Sequence, residues 1–158
     1  MRTFSTVEGL PVIEQGTGIE WGYVIDLLVG QDMQIEGFVV DKKGWFNHHM
    51  FLPVQAVASF GSDGVMISEH LKLSRFISKE HQAYPLKLGK KRLGGRSLLT
   101  SEGEKVGLVE DVYFDEEVGT IVGYEVTDGL VADLVEGRKV ILPKGPLVIS
   151  KDNAIVSI

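Results

Sequence analysis

Two histidines stand side by side in the sequence, and adjacent histidines are a pattern that could bind a metal ion. His48 and His49 follow Asn47 and precede an apolar stretch that starts at Met50. Neighbouring side chains of a β-strand point to opposite faces, so the two imidazoles cannot both reach one ion. Zinc also needs three or four converging ligands. We therefore interpret the pair as part of a solvated hairpin arm and predict no metal site.

Four aspartates form the other pattern with chemical potential. Asp26 and Asp111 stand at matching places in two similar stretches of sequence, and so do Asp63 and Asp152. Paired carboxylates do acid–base work when they lie about 5–10 Å apart. Aspartate is also common where its side chain accepts hydrogen bonds from the backbone N–H groups of a turn. We expect this second, structural role.

No combination of nucleophile, base and orienting group can be named in this chain. The remaining histidines, His70 and His81, lie outside the similar stretches, and the chain has no cysteine. The lack of cysteine also excludes a disulfide framework and thiolate zinc sites. The sequence therefore predicts a protein that is not an enzyme and that uses no cofactor.

The aspartates belong to a sequence that repeats itself once. Apolar and glycine positions recur in the same order, which indicates two copies of one small domain. The matched segments, first copy before second, are Trp21–Val29 with Val106–Phe114, Ile35–Val40 with Ile121–Val126, and Leu52-Pro53 with Leu142-Pro143. Strand-like segments with turns about every 8–12 residues are typical of a small antiparallel barrel. The sequence thus predicts an all-β fold of two tandem barrels.

One segment of the second copy has helical rather than β periodicity. Between Asp128 and Gly137, four apolar residues follow a helical spacing, and Gly137 suits a helix end. These residues are Leu130, Val131, Leu134 and Val135. We predict a short helical insert that packs this apolar face on the second barrel or across a subunit boundary.

A basic segment joins the two copies. From His70 to Arg96 the only acidic residue is Glu80, although the whole chain carries a net charge of −6. The cations of this segment are Lys72, Arg75, Lys79, Lys87, Lys90, Lys91, Arg92 and Arg96. We assign residues 1–69 to the first barrel, 70–91 to a basic connector and 92–158 to the second barrel.

The connector has two interpretations. Its apolar residues predict that it packs on a barrel, where its cations could lie against the acidic surface. Clustered cations with Phe76 and Tyr84 could instead contact the phosphates and bases of a nucleic acid. The acidic remainder of the chain would repel a polyanion, which disfavours the second interpretation.

The repeated pattern resembles the PRC-barrel family. The matching positions are Gly22, Val24, Asp26, Gly37-Phe38, Leu52-Pro53 and Asp63-Gly64 in the first copy, and Gly107, Val109, Asp111, Gly123-Tyr124, Leu142-Pro143 and Asp152-Asn153 in the second. The whole chain is similar to tandem two-barrel proteins of spore-forming Gram-positive bacteria. The resemblance implies two PRC-type barrels that act as docking modules, with a partner that changes from member to member. The family's motif is structural and implies no catalytic residue.

The sequence thus predicts a non-enzymatic adaptor or scaffold that binds a protein partner through barrel edges and loops. The alternative is an RNA- or ribosome-associated factor that uses residues 70–96. With no signal sequence and no run of about 18 apolar residues, we expect a cytoplasmic protein without membrane insertion. The unpaired edge strands of partial barrels could pair with a second copy of the chain, so a homodimer is a further expectation. The candidate partner surface consists of Trp45, Phe46, Lys90, Lys91, Arg92, Leu130 and Leu134.

Overall fold

Strands make up nearly all the regular structure of the computed structural model, which describes residues 1–42, 49–128 and 138–158. The all-β prediction is confirmed. Short 3₁₀ turns are the other regular elements of this described part. The candidate residues Trp45, Phe46, Leu130 and Leu134, and with them the predicted helical insert, lie outside the described residues.

The strands of the described residues are short, apart from two of ten residues each. In chain order they are β1 (Arg2–Thr3), β2 (Pro11–Glu14), β3 (Glu20–Val29), β4 (Ile35–Asp41), β5 (His49–Pro53), β6 (Val57–Phe60), β7 (Val65–Ile67), β8 (Ser74–Arg75), β9 (Tyr84–Pro85), β10 (Ser97–Thr100), β11 (Lys105–Phe114), β12 (Ile121–Thr127), β13 (Lys139–Ile141), β14 (Val148–Ile149) and β15 (Asn153–Val156).

The two copies fold with the same strand order, as the internal repeat predicts. The first sheet runs β6-β7-β2-β3-β4-β5, and the second runs β14-β15-β10-β11-β12-β13. In each copy one pair is parallel, β2 with β7 and β10 with β15. The first sheet is extended at its β5 edge by β8.

Matched glycines explain why both copies can fold in this way. Gly22 and Gly107 have φ angles of 153° and 152°, a conformation that glycine adopts without a Cβ clash. A Cβ on Gly22 would overlap the backbone oxygen of Asp41, and a Cβ on Gly107 would lie 3.0 Å from that of Thr127. The long strands β3 and β11 can therefore approach β4 and β12 closely at these points.

The match between the two Leu-Pro dipeptides is wrong by one residue. Leu52 lies opposite Phe38, whereas Ile141 lies opposite Tyr124. Phe38 and Tyr124 each follow a matched glycine, so the residue equivalent to Leu52 is Ile141 and not Leu142. The dipeptide recurs in the sequence, but hydrogen-bond register decides which residues are equivalent.

The two barrels pack around a local two-fold relation. The Ile35 N–H donates to the Gly119 carbonyl at 2.9 Å, and the Ile121 N–H donates to the Met33 carbonyl at 2.7 Å. Because Ile35 is equivalent to Ile121 and Met33 to Gly119, the local two-fold relation converts one of these bonds into the other. Three aromatic rings fill the space between the barrels, with Phe114 of the second lying 6.1 Å from Phe38 and 5.9 Å from Phe60 of the first. The barrels therefore share one core.

Each copy also donates its first residues to the other barrel. We call residues 2–8 and 84–93 the lead segments of the first and second copies. Strand β1 of the first lead segment pairs with β11 of the second barrel, and β9 of the second lead segment pairs with β3 of the first. Their apolar anchors, Phe4 and Leu86, are completely buried. The lead segments are thus exchanged between the barrels.

Candidate binding surface at the connector

The connector lies on the first barrel as two short strands linked by turns. Strand β8 pairs with Met50 and Phe51 of β5, and β9 pairs with Leu28 and Val29 of β3. Periodicity predicts neither strand, because each has only two residues. The apolar residues around them do predict packing on a barrel. Backbone hydrogen bonds therefore hold the connector to the barrel.

The predicted cations Lys90, Lys91 and Arg92 lie in a loop that the first copy lacks. In the first lead segment the Glu8 N–H donates to the Phe4 carbonyl, so three residues lie inside the turn. In the second, the Gly94 N–H donates to the Leu86 carbonyl, and seven residues lie inside. The longer turn, residues 87–93, carries these three cations and Lys87, all of them exposed. We call it the basic loop.

The buried carboxylate of Asp26 binds the backbone at the start of the basic loop. Its Oδ1 accepts hydrogen bonds from the N–H groups of Leu86 at 3.1 Å and Lys87 at 2.9 Å, and its Oδ2 accepts one from Leu88 at 2.9 Å. A fourth bond comes from the N–H of Leu27 at 2.8 Å. Burial raises the pKa of this carboxyl, and the four N–H groups oppose that rise. The predicted capping role thus holds for Asp26, with the caps made on a different segment. It does not hold for Asp63 or Asp152, whose carboxylates accept no backbone N–H among the described residues.

A β-bulge directs Asp26 toward the lead segment. The β3–β4 register shifts between Val24 and Asp26, and the β11–β12 register shifts between Val109 and Asp111. A bulge turns the following side chain out of its normal alternation. Asp111 accordingly accepts the N–H groups of Phe4 and Ser5 from the first lead segment, at 3.1 and 3.3 Å. The two aspartates therefore anchor the two exchanged segments.

A cavity of about 420 Å³ opens between the basic loop, the connector and the first barrel. Its floor is apolar, because Leu28, Val39 and Ala83 form a small buried cluster with Phe76 packed against it. Its mouth carries side chains that are cationic or basic. The residues that line it are Asp26, Leu28, Val39, His49, Phe76, Ser78, Lys79, His81, Ala83, Pro85, Leu88, Gly89, Lys90 and Lys91. We call it the connector cavity.

The lysines at the mouth of the connector cavity lack acidic partners among the described residues. Lys87, outside the cavity lining, pairs with Glu8 at 3.6 Å. No described carboxylate forms an ion pair with Lys79, Lys90 or Lys91. The expectation that the connector cations lie against acidic barrels therefore fits Lys87 but not these three. Their charge faces the solvent around an apolar floor.

His81 links the acidic surface of the barrel to the cavity wall. Its Nδ1 lies 3.1 Å from an Oε of Glu36. Its ring lies 4.5 Å from the ring of Phe51 and 5.3 Å from that of Phe76. The imidazole is thereby held in one orientation, and the Glu36 carboxylate is already occupied. His49 of the predicted histidine pair also reaches the cavity lining.

The equivalent place on the second barrel has a different character. A hollow of about 340 Å³ there is lined by Met1, Arg2, Thr3, Thr6, Tyr113 and Glu116. The guanidinium of Arg2 pairs with Glu116 and also donates to the Phe60 carbonyl at 2.7 Å. The side chains that line this hollow are mostly polar or charged, and Glu116 pairs there with both Arg2 and the N-terminal ammonium of Met1. The fold therefore does not require an apolar, cation-rimmed cavity at this position.

A second buried carboxylate anchors the start of the connector. Glu14 accepts hydrogen bonds from the Thr17 hydroxyl at 2.7 Å and from the His70 N–H at 2.8 Å, and the His70 ring lies at 2.8 Å. The hydrogen bond from Thr17, followed by those from His70, lowers the pKa of Glu14 to about 2. The His70 ring also stacks on Trp21 at 4.6 Å. Sequence reasoning did not single out Glu14, since an isolated glutamate on a short strand carries no pattern.

The described residues contain no group of three or more histidine, aspartate or glutamate side chains placed to hold a metal ion. Of the predicted partner surface, the described residues bring Lys90, Lys91 and Arg92 together, and the first two line the connector cavity. Phe76 and Ala83 were missed as cavity residues. The available signal was the alternation of apolar and cationic residues along the connector. No helix in the described ranges has the length and hydrophobicity needed to cross a membrane.

A family model for the PRC-barrel domain matches residues 1–72 and again residues 89–158. The chain belongs to the PRC-barrel family. Residues between the two PRC-barrel matches supply Phe76, Lys79 and Ala83 to the connector cavity. The cavity is therefore built partly by the segment that joins the two family domains.

Two relatives define how far the likeness extends. The Bacillus subtilis (strain 168) protein named "Uncharacterized protein YrrD" is 27% identical over 159 residues, which cover 99% of this chain and 88% of YrrD. "Uncharacterized protein MJ1118" of Methanocaldococcus jannaschii is 35% identical over 72 residues, which cover 44% of this chain and 81% of that protein. The YrrD match includes both PRC-barrel copies, whereas the MJ1118 match has the length of one. Their names indicate no activity.

Proposed function

We propose that this PRC-barrel protein is a non-enzymatic adaptor that binds an acidic segment of a partner protein at the connector. The observation that carries the proposal is the rim of Lys79, Lys90 and Lys91, which have no acidic partner among the described residues and surround an apolar floor. Complementary charge steers a partner to such a surface and fixes its orientation. Apolar side chains of the partner supply the contact area.

A protein partner fits this surface better than RNA, the alternative function. A nucleic acid carries a negative charge at every phosphate, so the long-range field of a chain with a net charge of −6 opposes it more strongly than it opposes a short acidic segment of a protein. The aromatic rings nearby are engaged, because Phe76 packs against the apolar cluster and Tyr84 lies under the guanidinium of Arg96. They are not presented as stacking platforms, which single-stranded nucleic acids require.

Charge reversal at the rim tests this proposal. The double variant Lys90→Glu/Lys91→Glu changes the rim, and Lys105→Glu/Lys144→Glu makes the same charge change at exposed positions of the second copy. Each form is used to capture proteins from cells that produce the native chain, with and without ribonuclease. We expect a protein that is retained by the wild type and the control, is lost with the rim variant, and withstands ribonuclease.

Two results would contradict the adaptor proposal. If the rim variant retains the same proteins as the wild type, the basic loop is not the docking surface. If ribonuclease removes the captured material, the chain acts on RNA and the alternative function is correct. A direct binding measurement with the purified partner then distinguishes contact between the two proteins from indirect co-purification. The affinity should fall as salt is added, because salt screens exposed charges.

A further inference from the structure

We propose that the connector cavity is a binding site for a small organic acid with an apolar body, namely an aromatic ring or short alkyl chain that carries one carboxylate. This ligand site goes beyond the adaptor function, because it needs no protein partner. It shares its rim lysines and its apolar floor with the docking surface, so the two proposals are separated below by what binds there.

The size and floor of the cavity fit an apolar body of this kind. Its volume of about 420 Å³ falls within the range of roughly 300–1,000 Å³ that is usual for small-molecule sites. The floor is formed by Leu28 and Val39, which are 1% and 2% exposed, and by Ala83. Leu88 at the mouth is 43% exposed. A bound ring or chain would cover it.

The charge of the ligand follows from the groups around the mouth. Lys79, Lys90 and Lys91 offer ammonium groups without acidic partners among the described residues. Asp26, the acid in the described cavity lining, is engaged by four backbone N–H groups, and the Glu36 carboxylate outside the lining is occupied by His81. An anionic group would therefore be held at the mouth, away from Asp26 on the inner wall.

A single carboxylate fits the rim better than a phosphate group. The cations that line the cavity are lysines, which act as point charges, whereas arginine provides the planar fork that suits phosphate. The backbone N–H groups of Leu86, Lys87 and Leu88 could otherwise cradle a phosphate, but Asp26 already accepts them. A polyanion would also leave several charges beside an apolar floor.

The second barrel provides an internal control for this inference. Its equivalent hollow is lined mostly by polar or charged side chains, and its cations, Arg2 and the N-terminal ammonium, have an acidic partner in Glu116. The basic loop, which forms one side of the connector cavity, has no counterpart of the same length in the first lead segment. The apolar, cation-rimmed cavity is thus a feature added to one of two otherwise similar barrels. Such an addition is expected of a ligand site and not of the fold.

Binding of 4-phenylbutyrate to the intact chain tests the inference, with 4-phenylbutanamide as the uncharged control. We expect backbone amide NMR shifts on titration to concentrate at Leu28, Val39, Ala83 and Leu88. The amide should bind about three- to ten-fold more weakly, as expected for the loss of exposed ion pairs. Lys90→Gln/Lys91→Gln should weaken phenylbutyrate by about five-fold, whereas Lys105→Gln/Lys144→Gln should not.

Filling the cavity provides a second, independent arm. Ala83→Trp should abolish the shifts in a chain whose remaining spectrum is unchanged. Leu88→Ser, at an exposed position, serves if the larger side chain disturbs folding, and it should weaken binding. The inference is overturned if phenylbutyrate gives no saturable shifts, if the shifts lie elsewhere, or if the amide binds equally well. If phenylbutyrate does not bind but protein capture still depends on Lys90 and Lys91, the adaptor proposal stands alone. If phenylbutyrate binds as expected but protein capture does not depend on these lysines, only the ligand site stands.

Discussion

Buried aspartates connect the two copies of this protein at the scale of single residues. Asp26 is completely buried and Asp111 is 6% exposed. Each accepts backbone N–H groups from the lead segment of the other copy, so each carboxylate holds a segment that its own barrel does not supply. The physical cost of burying a carboxylate is offset here by several charge-assisted hydrogen bonds.

Removal of either aspartate is expected to destabilise the chain, and Asp26 should matter more. Asp26 accepts three lead-segment N–H groups at 2.9–3.1 Å, whereas Asp111 accepts two at 3.1 and 3.3 Å. We expect a loss of about 3 kcal/mol for Asp26→Ala and about 2 kcal/mol for Asp111→Ala in urea unfolding. Asp63→Ala, at an exposed turn, is the control. Equal and small losses for all three would contradict the anchoring role.

The pH dependence of stability should report on Glu14. Its pKa in the folded state is about 2, below the ordinary value of 4.5. A carboxyl with a lowered pKa stabilises the folded state above its unfolded pKa, and this contribution is lost as pH falls through the folded value. Glu14→Gln should therefore be less stable than the wild type at neutral pH. The difference should shrink between pH 4.5 and about 2, as followed by urea midpoints; a constant difference would exclude this linkage.

Residue-scale prediction from sequence succeeded where a residue type has a strong local preference. The matched aspartates suggested capping of backbone N–H groups, and that is what Asp26 and Asp111 do. The lead-segment donors could not be predicted, because they lie sixty or more residues away in sequence. The connector cavity escaped for the same reason. Phe76 and Ala83 meet Leu28 only through the tertiary fold.

At the scale of elements, the exchange of lead segments makes each barrel depend on the other copy. Phe4 lies in the first lead segment and is completely buried. Strand β1 next to it is bound to β11 of the second barrel. A substitution in the first lead segment should therefore destabilise the second barrel, which is distant from it in sequence.

Phe4→Ala is expected to loosen the second barrel more than the first. Truncation of a buried phenylalanine costs about 3–5 kcal/mol, and the bonds between β1 and β11 would be weakened with it. Hydrogen exchange measured by mass spectrometry should show faster exchange in Lys105–Phe114 than in Glu20–Val29. Val118→Ala, at a site that is 64% exposed, is the control. Equal acceleration of the two strands would argue against a directed exchange.

Elements with many residues were predictable and those with two residues were not. The ten-residue strands β3 and β11 carry an apolar pattern that repeats between the copies. Strands β1, β8 and β9 have two residues each, too few to show any periodicity. Their pairing follows from tertiary position. The error at the Leu-Pro match has a similar origin, because register depends on hydrogen bonds that no short dipeptide determines.

At the scale of the whole molecule, the shared core predicts one cooperative unfolding transition. Phe114 of the second barrel packs against Phe38 and Phe60 of the first. Both tryptophans of the chain, Trp21 and Trp45, belong to the first copy. Tryptophan fluorescence therefore reports on the first barrel, while circular dichroism reports on all strands.

Phe114→Ala should shift the two signals together, although the substitution is in the second barrel. We expect a loss of about 3–5 kcal/mol, the usual cost of removing a buried aromatic ring, with coincident fluorescence and circular dichroism transitions. Leu142→Ala, in the same copy but at a site that is 65% exposed, should leave both unchanged. A fluorescence transition that stays in place while the circular dichroism transition moves would show that the barrels unfold independently.

The exchanged lead segments also determine when the protein can be completed during its synthesis. Residues 2–4 leave the ribosome before the first barrel, but their acceptor strand, residues 105–114, is made about a hundred residues later. The first barrel in turn waits for Tyr84 and Pro85 before β3 gains its last partner. In most multidomain chains the N-terminal domain folds first, as an independent unit. The first barrel of this chain cannot complete its fold in that way, because it needs β9 from the second copy. Until residues 105–114 have been made, Phe4 lacks the strand beside which it is buried in the folded chain.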